Sequence, residues 1–269
     1  MKTTLVMMFC ALAGLLAACG KPPAPGAAVH SRIVVAVSSP IPHGDILQQV
    51  VTPLLAKQGI ALEVRIINGG EINGFLVQRQ VDANYFQHAP YLDAYNADHQ
   101  TGLVSVAGVH IEPFGAYSRR YRHLDDIPDG AEVVIPNDPS NHGRALLLLD
   151  HAGLITLRER THPLTRVQDI SQNPKHLRFR EVDPALLVRI LDQVDLALIS
   201  SNYVLSAGMN PARDALIMEA ADSPYVNLLV TRPEDRDDAR VQALARALTS
   251  PEVKSFIETH YPGAVLPAF

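Results

Sequence analysis

Apolar residues fall along this chain in two alternating patterns. Short continuous runs, such as Arg32 to Ser39 (RIVVAVSS), suit strands covered on both faces. Between them lie stretches with apolar residues at helical spacing, such as Asp45 to Lys57, stopped by Gly59. The alternation continues through a strand at Ala61 to Ile67, a helix from Ile72, a short strand at Val81 to Phe86, a helix from His88 to Ala97 and a strand at Leu103 to Ile111. A second series has strands at Glu132 to Ile135, Leu177 to Val182 and Asp195 to Ser200, each followed by a helix. Tyr225 to Thr231 is a further strand, and Asp237 to Leu248 and Pro251 to His260 predict two helices. The first of these puts Val241, Leu244, Ala245 and Leu248 on one face. Alternation of this kind predicts α/β architecture with mostly parallel sheets flanked by helices. Two βα series predict two lobes, residues 32–114 plus 226–269 and residues 115–225, with the last strand–helix piece completing the first lobe.

The start of the chain follows a different logic. Lys2 precedes an apolar stretch, Leu5 to Leu16, too short to span a bilayer, and Leu16-Ala17-Ala18-Cys19 follows. Small residues before a cysteine in that context resemble the lipobox of bacterial lipoproteins. That resemblance implies a signal peptide over residues 1–18 and lipid on Cys19; an ordinary cleavage site is the alternative. Residues 19–31, rich in Pro, Ala and Gly, predict an extended tether. The expected location is the cell envelope, anchored to a membrane rather than spanning it.

Composition then narrows the function. The chain has 269 residues, 47% hydrophobic and 19% charged, which predicts a packed core. Removing residues 1–18 moves the formal charge from −5 to −6, and no basic run exists, so nucleic acid is not an expected partner. Of the two cysteines, Cys10 leaves with the signal and Cys19 carries lipid. No thiol then remains for disulfides, metal or catalysis. G-x-S-x-G, H-E-x-x-H and P-loop motifs are absent, and the histidines lack metal-ligand spacing. The expectation is a protein that is not an enzyme and takes no cofactor and no metal.

Candidate chemistry gathers at strand ends. In Val133 to Asp150 (VVIPNDPSNHGRALLLLD), prolines stop a strand, Ser140 is the candidate N-cap, and Arg144 falls in the first turn of an apolar helix. Strand ends of this kind are where α/β sheets bind ligands, and a guanidinium fork matches a carboxylate. The alternative is a capped structural helix whose arginine pairs with a surface acid. Asn141 shares a helix face with Arg144. Phe86, His88 and Tyr91 crowd another strand end, as a ligand wall or as core aromatics with a satisfied histidine. Asn202 is a pocket residue or a helix cap, and Asn227 is an amide inside an apolar strand that must find a partner.

Taken in order, Asp82 to His88 with Pro90-Tyr91-Leu92, Glu112 to Ser118, Pro136 to Asn141 with Gly143 to Leu146, Asn202-Tyr203, Asn210 to Ala212 and Asp222 to Leu228 resemble the NlpA/MetQ-type methionine-binding lipoproteins of ABC importers. The resemblance runs from about Ile33 to the end. It implies a type II periplasmic-binding-protein fold that closes on an amino acid, with methionine expected, and an ABC permease as partner. By position, Arg144 would hold the ligand carboxylate, Asn202 and Asn227 would bond its charged ends, and Phe86, His88 and Tyr91 would wall the side chain. Asn141 joins them as a candidate. A thioether is favoured by aromatic walls. Two departures stand out: Gly69 replaces a tyrosine of the family, and Ser200 replaces a frequent asparagine. The first admits a larger ligand, such as a methionine dipeptide, D-methionine or another amino acid, or a surface lipoprotein with no transport role.

Overall fold

The computed structural model describes residues 31–67, 71–220 and 223–269. The expected signal peptide, Cys19, the expected tether up to residue 30 and Gly69 lie outside the described residues, and Ser31, expected as the last tether residue, opens the first strand.

The strands in chain order are β1 (Ser31–Val37), β2 (Ile60–Ile66), β3 (Ala83–His88), β4 (Val104–Ile111), β5 (Phe114–Tyr117), β6 (Glu132–Pro136), β7 (Thr156–Leu157), β8 (Ile170–Gln172), β9 (Arg178–Val182), β10 (Leu196–Ser200), β11 (Ile217–Met218), β12 (Val226–Thr231) and β13 (Leu266–Pro267). The α-helices are α1 (Thr52–Ala56), α2 (Ile72–Val77), α3 (Ala89–His99), α4 (Pro139–His151), α5 (Pro184–Leu187), α6 (Ser201–Ser206), α7 (Pro211–Asp214), α8 (Ala239–Leu248) and α9 (Pro251–His260). A π-helical stretch, Ile46–Val51, leads directly into α1.

Two sheets carry the molecule. One runs β13-β4-β12-β3-β1-β2 and the other β11-β5-β10-β6-β9. In the first, β1 pairs in parallel with β2 and β3, while β12 is antiparallel to β3 and β4. So β1 to β4 point one way, and β12, returning from the second sheet, points the other. In the second, β6 pairs in parallel with β9 and β10, and β5 runs antiparallel to β10. The chain passes between sheets twice, from β4 to β5 and from β11 to β12. Strands β1 and β6 are buried through most of their length, as their unbroken apolar runs require. Helices α8 and α9 cover the first sheet, and Val241, Leu244, Ala245 and Leu248 all face that core. No helix among the described residues is long and apolar enough to cross a membrane.

Helix α4 begins earlier than the sequence predicts. Its N-cap is Asp138, whose Oδ1 accepts from the Asn141 N–H at 2.9 Å, not Ser140. Pro139 takes the first helical position, where its fixed φ suits a helix and its missing N–H costs nothing. Ser140 instead donates to Asp138. The stretch Asn141 to Arg144 is therefore helical, and Arg144 sits in the second turn, not in the first as expected. Gly143 lets the 163–165 backbone lie against this helix: a Cβ there would stand 2.2 Å from the Pro163 carbonyl oxygen. Leu146 and Leu149 are buried in the second core.

Candidate functional site

The seven residues predicted for a ligand site line one cavity of about 160 Å³. Phe86 and His88 end β3, Tyr91 opens α3, and Asn227 stands on β12, all on the side of the first sheet. Asn141 and Arg144 project from α4 and Asn202 from α6, on the side of the second. The cavity therefore lies between the two sheets.

The hydrogen bonds fix what each group presents. His88 caps α3: its Nδ1 accepts the Tyr91 N–H at 3.3 Å, so Nε2 carries the proton and donates to Asn141 Oδ1 at 3.1 Å. That bond joins the two halves directly. Asn141 spends its Nδ2 group on Asp138, so its amide is largely occupied by the protein. His43 approaches Asn227 Oδ1 at 3.1 Å; an amide oxygen only accepts, so His43 is protonated on Nε2. Asn227 lines the cavity and its Nδ2 donors are not spent on His43, while His43 Nδ1 is left buried without a partner among the described residues. Asn202 is not a cap; Ser200 holds that position. Asn202 is 5% exposed, and its Oδ1 is a buried acceptor with no partner among the described residues. Such an orphan costs free energy unless something donates to it.

Arg144 is buried at 2% exposure between aromatic rings, its guanidinium carbon 4.3 Å from the Tyr225 centroid and 5.0 Å from that of Phe114. Its Nε donates to Glu219 Oε1 at 2.7 Å and its Nη2 to Glu219 Oε2 at 2.5 Å. Nη2 also donates to the Glu112 carbonyl at 2.9 Å. One edge of the fork is thus filled by the protein, and it ties together both crossings between the sheets. Nη1 makes a long 3.5 Å contact to Asn141 and remains for the cavity. The aromatic wall packs edge to face, with Phe86 and Tyr91 at 5.5 Å and His88 and Tyr91 at 6.3 Å. Burial, with Arg144 adding to it, holds His88 down to about 3, and burial pushes Tyr91 up to about 12, so both are neutral at pH 7.

Sequence reasoning missed several residues here. Glu112, Ser200, Tyr203 and Asp138 line the same cavity. Glu219 grips Arg144 from 75 positions away, and no local pattern announces it. Glu112 left a trace, a lone acid in the apolar run from Leu103 to Phe114. His43, His110 and Glu112 bring three possible metal-ligand atoms within 4.8 Å of one another, all buried. Their hydrogen bonds account for them without a cation: His110 Nε2 lies 3.1 Å from Glu112 Oε1, and Tyr85 donates to His110 Nδ1.

Two α/β halves joined by two chain crossings, with a polar cavity between them, define the class of two-lobed periplasmic binding proteins. Comparison with solved structures agrees. A nutrient binding protein from Burkholderia cenocepacia bound to methionine superposes with a TM-score of 0.84 at 39% identity, over 88% of this chain and 99% of that one. Lipoprotein Tp32 from Treponema pallidum superposes with a TM-score of 0.85 at 40% identity, over 88% and 99%. The chain belongs to the NlpA lipoprotein family, whose model matches residues 33–269. It is 38% identical to the methionine-binding lipoprotein MetQ of Bacillus subtilis (strain 168), covering 99% of this chain and 98% of that protein.

Proposed function

We propose that this protein is the solute-capturing lipoprotein of an ABC importer, taking an amino acid of the methionine class between its lobes and handing it to a permease. It acts by binding, not by turnover. The lobes are residues 32–113 plus 226–269 and residues 114–225, one residue from the boundary expected at 114, because β5 starts at Phe114 and pairs in the second sheet. The lipid on Cys19 holds the molecule at the cell envelope.

The observation that carries this reading is Asn202 Oδ1, unpaired among the described residues and buried in a cavity that Asn227 and Arg144, with its weakly used Nη1, also line. An α-amino acid supplies an ammonium donor for the first and a carboxylate for the other two. Phe86, His88 and Tyr91 form a neutral aromatic wall suited to a thioether. The Burkholderia cenocepacia relative, which is bound to methionine, points the same way. A ligand contacting both lobes favours their closed arrangement by its differential affinity for it. Two or three charge-assisted hydrogen bonds with the apolar contact give roughly micromolar affinity, about −8 kcal/mol.

A thermal-shift screen of L- and D-amino acids and methionine dipeptides tests it. Methionine is expected to raise the midpoint in proportion to the logarithm of its concentration. Absence of any shift across the screen would refute amino-acid capture.

A further inference from the structure

Glu112 is a buried carboxylate on the cavity wall, at the first crossing between β4 and β5. Its Oε1 is the crowded oxygen, 3.1 Å from His110 Nε2 and 3.5 Å from His43 Nε2. His110 is in turn held by Tyr85. The other oxygen, Oε2, meets the Ser200 hydroxyl at 3.4 Å, a long contact that leaves most of its accepting capacity unused.

The surroundings supply this carboxylate with no dedicated cation. Burial keeps His43 down to about 4 and His110 down to about 3, so both are neutral at pH 7. Arg144 gives its bidentate edge to Glu219 and only a backbone contact to Glu112. Burial raises the Glu112 carboxyl above the usual glutamate range, against the pull of His43, Arg144 and Ser200. The other acids of the cavity are spent on helix ends: Asp138 caps α4 and Asp183 caps α5. Glu112 is therefore the cavity acid poised for a cation. Its own carbonyl accepts from Arg144 Nη2 at 2.9 Å, and both residues line the cavity, so one wall carries a guanidinium and a carboxylate. An α-amino acid carries its carboxylate and ammonium on a single carbon and matches that pair.

Resting on the assignment of the ligand carboxylate to Arg144, we propose that Glu112 Oε2 receives the α-ammonium, so that the site selects a free amino acid and rejects ligands whose α-amine is acylated or extended by a residue. Glu112 then acts with Asn202 on the ammonium, while Asn227 and Arg144 hold the carboxylate. Ser200 acts through Glu112, a role its short hydroxyl reaches.

Calorimetric titration of the wild-type protein with L-methionine, N-acetyl-L-methionine, glycyl-L-methionine and 4-(methylthio)butanoate, the same chain without an amine, tests this. Methionine is expected to bind roughly 10- to 100-fold more tightly than the other three, the worth of one charge-assisted contact. In Glu112→Gln, methionine should lose that advantage while 4-(methylthio)butanoate binds as it does to the wild type. Equal weakening of both ligands in Glu112→Gln would make Glu112 a structural residue and overturn the proposal. So would wild-type binding of N-acetyl-methionine as tight as that of methionine. If Glu112→Gln does not fold, the wild-type ligand series decides alone. Methionine binding that is lost in Arg144→Ala yet indifferent to the amine sinks this proposal and leaves amino-acid capture standing. Failure of every methionine compound to bind sinks both.

Discussion

Two buried polar clusters, one on the first sheet and one between the two sheets, differ in one respect. Asn73, Asn84 and Gln87 form a closed amide triad beneath α2. Asn73 Nδ2 donates to Gln87 Oε1 at 2.8 Å, Asn84 Nδ2 to Asn73 Oδ1 at 2.8 Å, and Gln87 Nε2 to Asn73 Oδ1 at 2.7 Å and Asn84 Oδ1 at 2.9 Å. The cavity cluster, which Gln87 of the triad also borders, is charged and unfinished: Asn202 Oδ1 lacks a donor among the described residues, and Arg144 and Glu112 each keep an edge unspent. A closed network holds a helix in place. An open one lined up on a cavity is incomplete without a guest. Neither buried polarity nor a single unpaired atom marks a binding site, since His43 Nδ1, Tyr117 Oη and His142 Nε2 also lack partners among the described residues and lie outside the cavity lining; several unspent polar groups on one cavity do.

Acid should separate the clusters most sharply, because the triad has nothing to titrate. His43, His88 and His110 are held below the ordinary histidine value of 6.5, to about 4, 3 and 3, chiefly by burial. A depressed histidine pKa means the unfolded chain takes the proton first. Its contribution to stability is thus fully present above pH 6.5 and is lost as pH falls from there toward 3–4. The raised Glu112 carboxyl has the opposite sign and offsets part of the loss as pH falls toward 4.5, the ordinary glutamate value, and adds nothing further below it. Urea unfolding at about pH 7 and about pH 4.5 is expected to show a clear drop at the lower pH; equal midpoints would mean that the histidines are not buried as described.

Arg144→Ala comes next. It should weaken methionine binding at least about tenfold by calorimetry, because the ligand carboxylate loses a charged donor. It also strands Glu219, a partner only 12% exposed, so affinity must be measured on protein shown to be folded. Unchanged affinity would remove Arg144 from the site. Asn73→Ala probes the other side of the comparison. It leaves acceptors and donors of the triad unpaired and should cost about 1–3 kcal/mol of unfolding free energy while methionine affinity changes less than about threefold. The smallest effect on the fold is Asn202→Ala. Its orphan oxygen adds nothing to the unliganded protein, so thermal stability without ligand should stay within about 0.5 kcal/mol while affinity drops roughly five- to tenfold. A large stability loss there would show that Asn202 is structural.

How much of this is legible in the sequence follows from how local each cause is. Continuous apolar runs locate β1, β6 and β10, because burial on both faces imposes them residue by residue. The spacing in Val241 to Leu248 locates α8 for the same reason. The start of α4 is misplaced by sequence reasoning because Asp138 and Ser140 are both good caps, and Pro139 decides between them. Resemblance of short motifs supplies the seven cavity residues, although Asn141 turns out to be occupied by His88 and Asp138. The partners that set their roles are beyond local reading. Glu219 meets Arg144, and His43 meets Asn227 from 184 positions away, only once both sheets have formed. Which edge of Arg144 and which end of Asn227 face the cavity are likewise consequences of tertiary contacts.

Both lobes closing on one amino-acid head group is the central claim. A crystal structure of the protein grown with L-methionine tests it most directly. Density is expected for one methionine, its carboxylate at Arg144 Nη1 and Asn227 Nδ2, its ammonium at Asn202 Oδ1 and its thioether against Phe86, His88 and Tyr91. Methionine bound elsewhere, or a cavity empty at saturating methionine, would contradict it.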